Sequence, residues 1–170
     1  MKTITVFGGR IAPQEDLEDA YCLGRKIGKR KYILKNGGYS GIMEHSAAGC
    51  VKEGGEVIGV CVKGNFNGRA VPNKYSTMQI FAENLDERVK ELLRTDMVVV
   101  FPGRLGTLDE LIRAWANKAT SSNFPIYVYG GKNKTLLDFL RRNNYIKKED
   151  FSLIKYVDHL DEIDLRSSVF

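Results

Sequence analysis

Residues 97–119, MVVVFPGRLGTLDELIRAWANKA, decide how the rest of the chain is read. The apolar run 97–101 is short and unbroken, which predicts a strand buried on both faces rather than one with a wet side. The turn PGRLG follows directly. From Thr107 to Ala119, the residues Leu108, Leu111, Ile112, Trp115 and Ala119 then recur at helical spacing. A buried strand that passes through a glycine turn into an amphipathic helix is half of a βαβ unit.

Working outward, the same alternation repeats. TITVF at 3–7 ends in Gly8-Gly9 and predicts a first strand. Residues 14–29 place Leu17, Ala20, Tyr21, Gly24, Ile27 and Gly28 on one helical face. YILK at 32–35 is a second short strand, broken by NGG at 36–38. A helix from about Gly41 to Lys52 carries Ile42, Met43, Ala47, Cys50 and Val51, and Gly54-Gly55 predicts a left-handed C-terminal cap. EVIGVCV at 56–62 is another buried strand, and 63–77, with Gly64, Gly68 and Pro72, reads as a loop. A strand at 78–82 and a helix from Leu85 to Arg94 complete the approach to residue 97. Beyond Ala119 come a strand at 125–129, a helix at 134–143, a turn at Asn144-Tyr145, a strand at 153–157 and a helical segment at 159–166.

Strands that are apolar throughout and separated by amphipathic helices predict an α/β fold. The expectation is a single doubly wound Rossmann-like domain over residues 1–170 with a mostly parallel sheet. Such folds bind ligands at the carboxyl ends of their strands, and the glycines at 8–9, 37–38, 41, 103, 106 and 130–131 collect there.

Composition narrows the function. With 170 residues, 43% hydrophobic and 28% charged, the chain is not disordered, collagen-like or coiled-coil. No run approaches 18 apolar residues, and MKTITVFGGR is too short and too soon interrupted for a signal peptide. A cytoplasmic protein with no membrane partner is expected. The three cysteines form no CxxC and sit among apolar neighbours, so they are read as reduced, mostly buried thiols. His45 and His159 are isolated, and neither a metal nor a redox cofactor is expected. The net charge of +5 suits an anionic small ligand. The basic stretches 63–74 and 131–148 contain no run of five cations and no nucleic-acid-binding signature. They are read as solvated faces, and nucleic acid is not the expected partner.

Three glycine turns carry the chemistry: Gly8-Gly9-Arg10, Gly37-Gly38-Tyr39-Ser40-Gly41 and Pro102-Gly103-Arg104-Leu105-Gly106-Thr107. Glycine lets backbone N–H groups approach a ligand, and a helix N-terminus favours an anion. The second turn, with Met43 just beyond it, reads equally as a ligand turn or as a plain βα connection. In the third, the amides around 103–107 could cradle a phosphate with help from the Thr107 hydroxyl. Glu110 lies one turn further. A carboxylate beside a phosphate cradle makes sense if it meets a cationic transition state; otherwise Thr107-x-x-Glu110 is a capping box.

PGRLGTLDE at 102–110 resembles the PGGxGTxxE motif of the LOG family, the cytokinin riboside 5′-monophosphate phosphoribohydrolases. KNGGYSGIMEHSAAGCVKEGGEVIGV at 35–60 resembles that family's GGGxxGLMG segment, and the tail at 136–163 is also similar. The resemblance implies a Rossmann-type fold, a homodimer, a nucleotide site at the motif residues and hydrolysis of an N-glycosidic bond. Three departures stand at the ligand. Arg104 replaces a glycine, Arg10 stands where a Gly-Ser pair is usual, and the family's Arg-Lys pair reads Asp86-Glu87-Arg88-Val89 here. On a wheel at 100° per residue from Leu85, Arg88 lies within about 60° of the inward stripe and Glu87 at about 200°. Arg88 is therefore the expected catalytic arginine beside Glu110; the alternative for Arg88 is a snorkelling surface cation.

Two readings follow. One is a phosphoribohydrolase-like enzyme that releases free base and ribose 5-phosphate from a nucleoside 5′-monophosphate. The other is a non-catalytic carrier of a nucleotide or phosphorylated cofactor, with Arg10 and Arg104 favouring a polyanion. The candidate site residues are Glu110 and Arg88 for catalysis. For nucleotide or phosphate binding they are Gly8, Gly9, Arg10, Gly37, Gly38, Tyr39, Gly41, Met43, Pro102, Gly103, Arg104, Gly106 and Thr107.

Overall fold

The computed structural model describes residues 1–64, 72–121 and 123–167. Gly68 and Arg69 of the 63–77 loop lie outside the described residues. The strands are β1 (Thr3–Phe7), β2 (Ile33–Asn36), β3 (Val57–Val62), β4 (Met78–Ala82), β5 (Met97–Val100), β6 (Ile126–Tyr129) and β7 (Lys155–Val157). Among the described residues, the helices are α1 (Gln14–Lys29), α2 (Ile42–Lys52), α3 (Leu85–Leu92), α4 (Leu105–Thr120), α5 (Gly131–Arg142) and α6 (Lys148–Phe151). The sheet runs β4-β3-β2-β1-β5-β6-β7, and every pairing is parallel.

Alternate strand residues feed two cores. Ile4, Val6, Met97, Val99, Phe101 and Tyr127 pack with Ala20, Leu23 and Ile27 of α1 and Ala47 and Cys50 of α2. Val98, Val100, Ile126 and Val128 face Leu92 of α3, Leu111, Ala114 and Trp115 of α4, and Leu137 of α5. This double coverage is why β5 is apolar at every position. The helices α1 and α2 cross closely: a Cβ on Gly24 would meet the Ser46 carbonyl, and one on Gly49 would meet that of Tyr21.

Helix ends follow their sequence signals. Gly54, at φ 69°, closes α2, with Gly55 N–H donating to Cys50 O and Gly54 N–H to Val51 O. The same motif closes α1 on Lys31 (φ 57°) and α5 on Asn144 (φ 55°).

Four local expectations are corrected. Cys22 is exposed, because it falls on the outer side of α1, whereas Cys50 and Cys61 are buried. Helix α5 begins at Gly131 rather than 134, since Gly130 at φ 92° already turns the chain. The short α6 lies in a stretch whose turn signals mask it, and the C-terminal segment holds only a 3₁₀ turn at Leu160–Glu162. Helix α4 starts at Leu105, so Thr107 and Glu110 lie inside it and form no capping box; the N-cap is Arg104, without a side-chain cap bond.

Candidate functional site

The chain leaves β1 outward through β2, β3 and β4 and returns to β5 on the other side, so the connections diverge above the β1/β5 pair. That is the topological switch point of a doubly wound sheet. A cavity of about 300 Å³ opens there, at the small end of ligand sites. Its walls are Gly8, Gly9, Arg10 and Ile11 after β1, Tyr39, Ser40 and Met43 after β2, Arg88 from α3, and Arg104, Gly106, Thr107 and Glu110 from α4.

Backbone bonds fix these loops. Gly9 N–H donates to Pro102 O (3.1 Å), and Ile42 N–H donates to Gly9 O (3.0 Å). Buried Asn36 accepts from Gly38 N–H (2.8 Å) and donates to Met43 O (2.8 Å), tying the glycine turn to the first turn of α2. The Asn73 side-chain amide donates to Tyr39 O (2.9 Å), and the Tyr39 hydroxyl accepts from Val62 N–H (3.2 Å).

The floor is a buried ion pair. Arg88 is 6% exposed and Glu110 7%. Arg88 Nη1 donates to Glu110 Oε1 (3.0 Å) and Nε to Val60 O (2.8 Å). The guanidinium lies 5.7 Å from the centre of the Tyr39 ring. It also presses on Gly37, where any Cβ would collide with Nη2. Tyr39, Met43 and Cys61 form an apolar cluster beside it, and burial pushes the Cys61 thiol up. Glu87 faces outward and accepts from Glu83 N–H (2.9 Å).

Helix α3, which carries Arg88, is held at both ends. Asn84 caps its start by accepting from Glu87 N–H. At the other end, Lys35 Nζ donates to Glu91 O (2.9 Å), Arg94 O (2.9 Å) and Glu91 Oε1 (3.0 Å), and Thr5 Oγ1 donates to Leu92 O (2.7 Å). Thr5 and Lys35 are buried register neighbours on β1 and β2. A cation suits the negative end of a helix.

The first turn of α4 is different. Its first three amides, Leu105, Gly106 and Thr107, have no intrahelical partner and make no backbone bond outside the helix among the described residues. No acidic residue sits in that turn. Thr107 is 6% exposed, lines the cavity, and its hydroxyl makes no hydrogen bond among the described residues. In α2, by contrast, Glu44 sits in the first turn and Gly9 O takes the Ile42 amide. Of these two helix openings, the one on α4 leaves its positive end without an acidic residue or a backbone acceptor among the described residues.

The structure thus brings Gly8, Gly9, Arg10, Tyr39, Met43, Arg88, Arg104, Gly106, Thr107 and Glu110 to one cavity. Gly37, Gly38, Gly41, Pro102 and Gly103 do not line it; they shape its walls from behind. Ile11 and Ser40 line it unforeseen, although each adjoins a residue already singled out. The signal for Lys35 is a charged residue inside an apolar strand. Arg10 and Arg104 are exposed and form no ion pair among the described residues. No group of three His, Cys, Asp or Glu among the described residues is placed to hold a metal, and no described helix is long and apolar enough to cross a membrane.

Comparison with known proteins agrees with the fold. The family model described as the SLOG cluster4 family matches residues 1–148. An uncharacterized protein of Archaeoglobus fulgidus is 25% identical over 130 residues, 75% of this chain and 83% of that protein. The molybdenum cofactor binding protein of Rippkaea orientalis superposes with a TM-score of 0.75 at 24% identity, covering 92% of this chain and 89% of that one. The molybdenum cofactor carrier protein of Chlamydomonas reinhardtii gives 0.72 at 20% identity, covering 94% and 91%. At these identities the two structures speak for the fold.

Proposed function

The chain belongs to the SLOG cluster4 family, and from that premise we propose that its cavity binds a nucleoside 5′-phosphate and hydrolyses the N-glycosidic bond. The observation that carries the reading is that one cavity joins the α4 start and the ion pair. The uncapped start of α4, with the unbonded Thr107 hydroxyl, stands over the same cavity as the Arg88–Glu110 floor. The phosphate takes the amides of 105–107. The ribose then reaches the Glu110 carboxylate, one turn further along the helix. As the C1′–N bond breaks, the electron pair leaves with the base, and positive charge grows on the ribosyl ring. Glu110 stabilises that charge and orients the water that adds to C1′. The water's protons are shared between base and new hydroxyl, giving free base and ribose 5-phosphate. Arg88 holds the carboxylate in place.

One observation favours carriage without turnover. Arg88 pairs with Glu110, so the carboxylate's charge is already offset by a protein group. Two solved structures of like fold are described as a cofactor binding protein and a cofactor carrier. Incubation with a panel of nucleoside 5′-monophosphates separates the readings. Release of free base, lost in Glu110→Gln while affinity persists, supports hydrolysis. Tight binding without base supports carriage, and no binding removes both.

We also propose a homodimer through α3 and α4, where Leu85, Leu105 and Ile112 stay exposed. A monomeric mass by light scattering at micromolar concentration would remove it.

A further inference from the structure

We infer that the cavity binds a ligand with a diphosphate or an equivalent second anionic group more tightly than a lone monophosphate. The inference rests on the phosphorylated-ligand reading and adds the charge class. The inner phosphate position is complete without any arginine: the amides of Leu105, Gly106 and Thr107 and the hydroxyl of the buried residue Thr107, which makes no hydrogen bond among the described residues, supply donors for one phosphate. Arg88 is already engaged by Glu110 and Val60 O. Glu110 is the one acid among the lining residues, so its pairing leaves Arg10 and Arg104 as two uncompensated charges on the wall.

Their placement makes the surplus informative. Arg104 is the N-cap of α4 and makes no cap bond, so its cation stands at the positive end of a helix dipole. Arg10 adjoins Gly9, whose carbonyl takes the Ile42 amide at the start of α2, and it lines the same cavity as Arg104. A cation at a helix N-terminus is unfavourable in the free protein and becomes favourable when an anion lies between. Both loops meet at the Gly9 N–H to Pro102 O bond, and Arg10 and Arg104 both line the one cavity. Both side chains are exposed, outside the enclosed phosphate position, where a second anionic group of the same ligand would emerge. The planar guanidinium fork fits its oxygens.

The test is calorimetric titration, without divalent cation, of the parent, Arg104→Gly and Arg10→Ala with phosphate, pyrophosphate, AMP and ADP. In the parent, pyrophosphate and ADP bind at least about 10-fold tighter than phosphate and AMP, the scale of one charge-assisted hydrogen bond. Each substitution lowers the diphosphate-to-monophosphate ratio by several-fold, and the double variant brings it to about one. A ratio near one in the parent, or a ratio unchanged in both variants, overturns the inference while monophosphate binding leaves the phosphorylated-ligand reading standing. If none of the four probes binds, both fall together. Glycine is well tolerated at an N-cap, and Arg10 is exposed, so both variants should keep the parent's unfolding curve.

Discussion

Replacing Arg88 by Met tests whether the cavity floor is a structural unit. The substitution leaves Glu110, 7% exposed, without the guanidinium 3.0 Å away, and leaves Val60 O without its 2.8 Å donor. Removing one partner of a buried pair costs about 3–5 kcal/mol, because the other charge stays uncompensated. Glu110→Gln keeps the shape and a hydrogen bond from the Arg88 cation, which Val60 O and the Tyr39 ring also stabilise, so its cost should be smaller, about 1–3 kcal/mol. The double variant buries neither charge and should be more stable than Arg88→Met alone. The coupling between the two sites is then about 2 kcal/mol, within the range for residues in contact. Trp115, the chain's one tryptophan, is buried against Phe151 at 5.1 Å and reports unfolding by fluorescence in urea. A loss of about 2–4 °C in Tm per kcal/mol gives an independent reading. If Arg88→Met costs less than about 1 kcal/mol, or the double variant is no more stable than that single one, the floor is not a coupled ion pair. Its proposed hold on Glu110 then fails.

Four further outcomes are expected. Lys35→Met should cost about 2–4 kcal/mol, since the Glu91 and Arg94 carbonyls lose their shared donor; urea titration showing under 1 kcal/mol would mean that α3 is not held from the sheet. Lys31→Gly should stabilise by roughly 0.5–1 kcal/mol, because Lys31 closes α1 at φ 57°, and a lower Tm would contradict it. One thiol, Cys22, should react with maleimide under native conditions, while Cys50 and Cys61 stay protected; three fast-reacting thiols would refute this. Burial pushes Cys50 from 9.0 to about 11. Unfolding therefore releases its proton between those values, and stability falls as pH rises from about 9 to about 11.

The alternation of buried strands and amphipathic helices was legible in the sequence because it depends on local spacing alone. MVVVF has no polar position to offer solvent, so it could only be an inner strand of a covered sheet. The glycine turns at the strand ends and the Gly54 cap followed from backbone sterics for the same reason. The inward tilt of Arg88 could be read from one helical wheel, since its angle relative to Val89 and Leu92 is a local quantity.

The partners of that arginine were not legible. Arg88 meets Glu110 twenty-two residues away, Val60 twenty-eight residues back and the bare backbone of Gly37, each on a different element. Only the sheet order, with β1 next to β5, decides that these elements share one crevice. The start of α4 was likewise a tertiary matter. In sequence, Thr107-x-x-Glu110 fits a cap. Docking of the 102–104 loop against Gly9 starts the helix at Leu105 and leaves both residues inside it, facing a cavity. Lys35 shows the same division: its charge within YILK marks an anomaly, but the carbonyls that explain it lie at the end of a helix more than fifty residues on. Local periodicity fixes which face of an element turns inward, whereas long-range packing decides what that face meets.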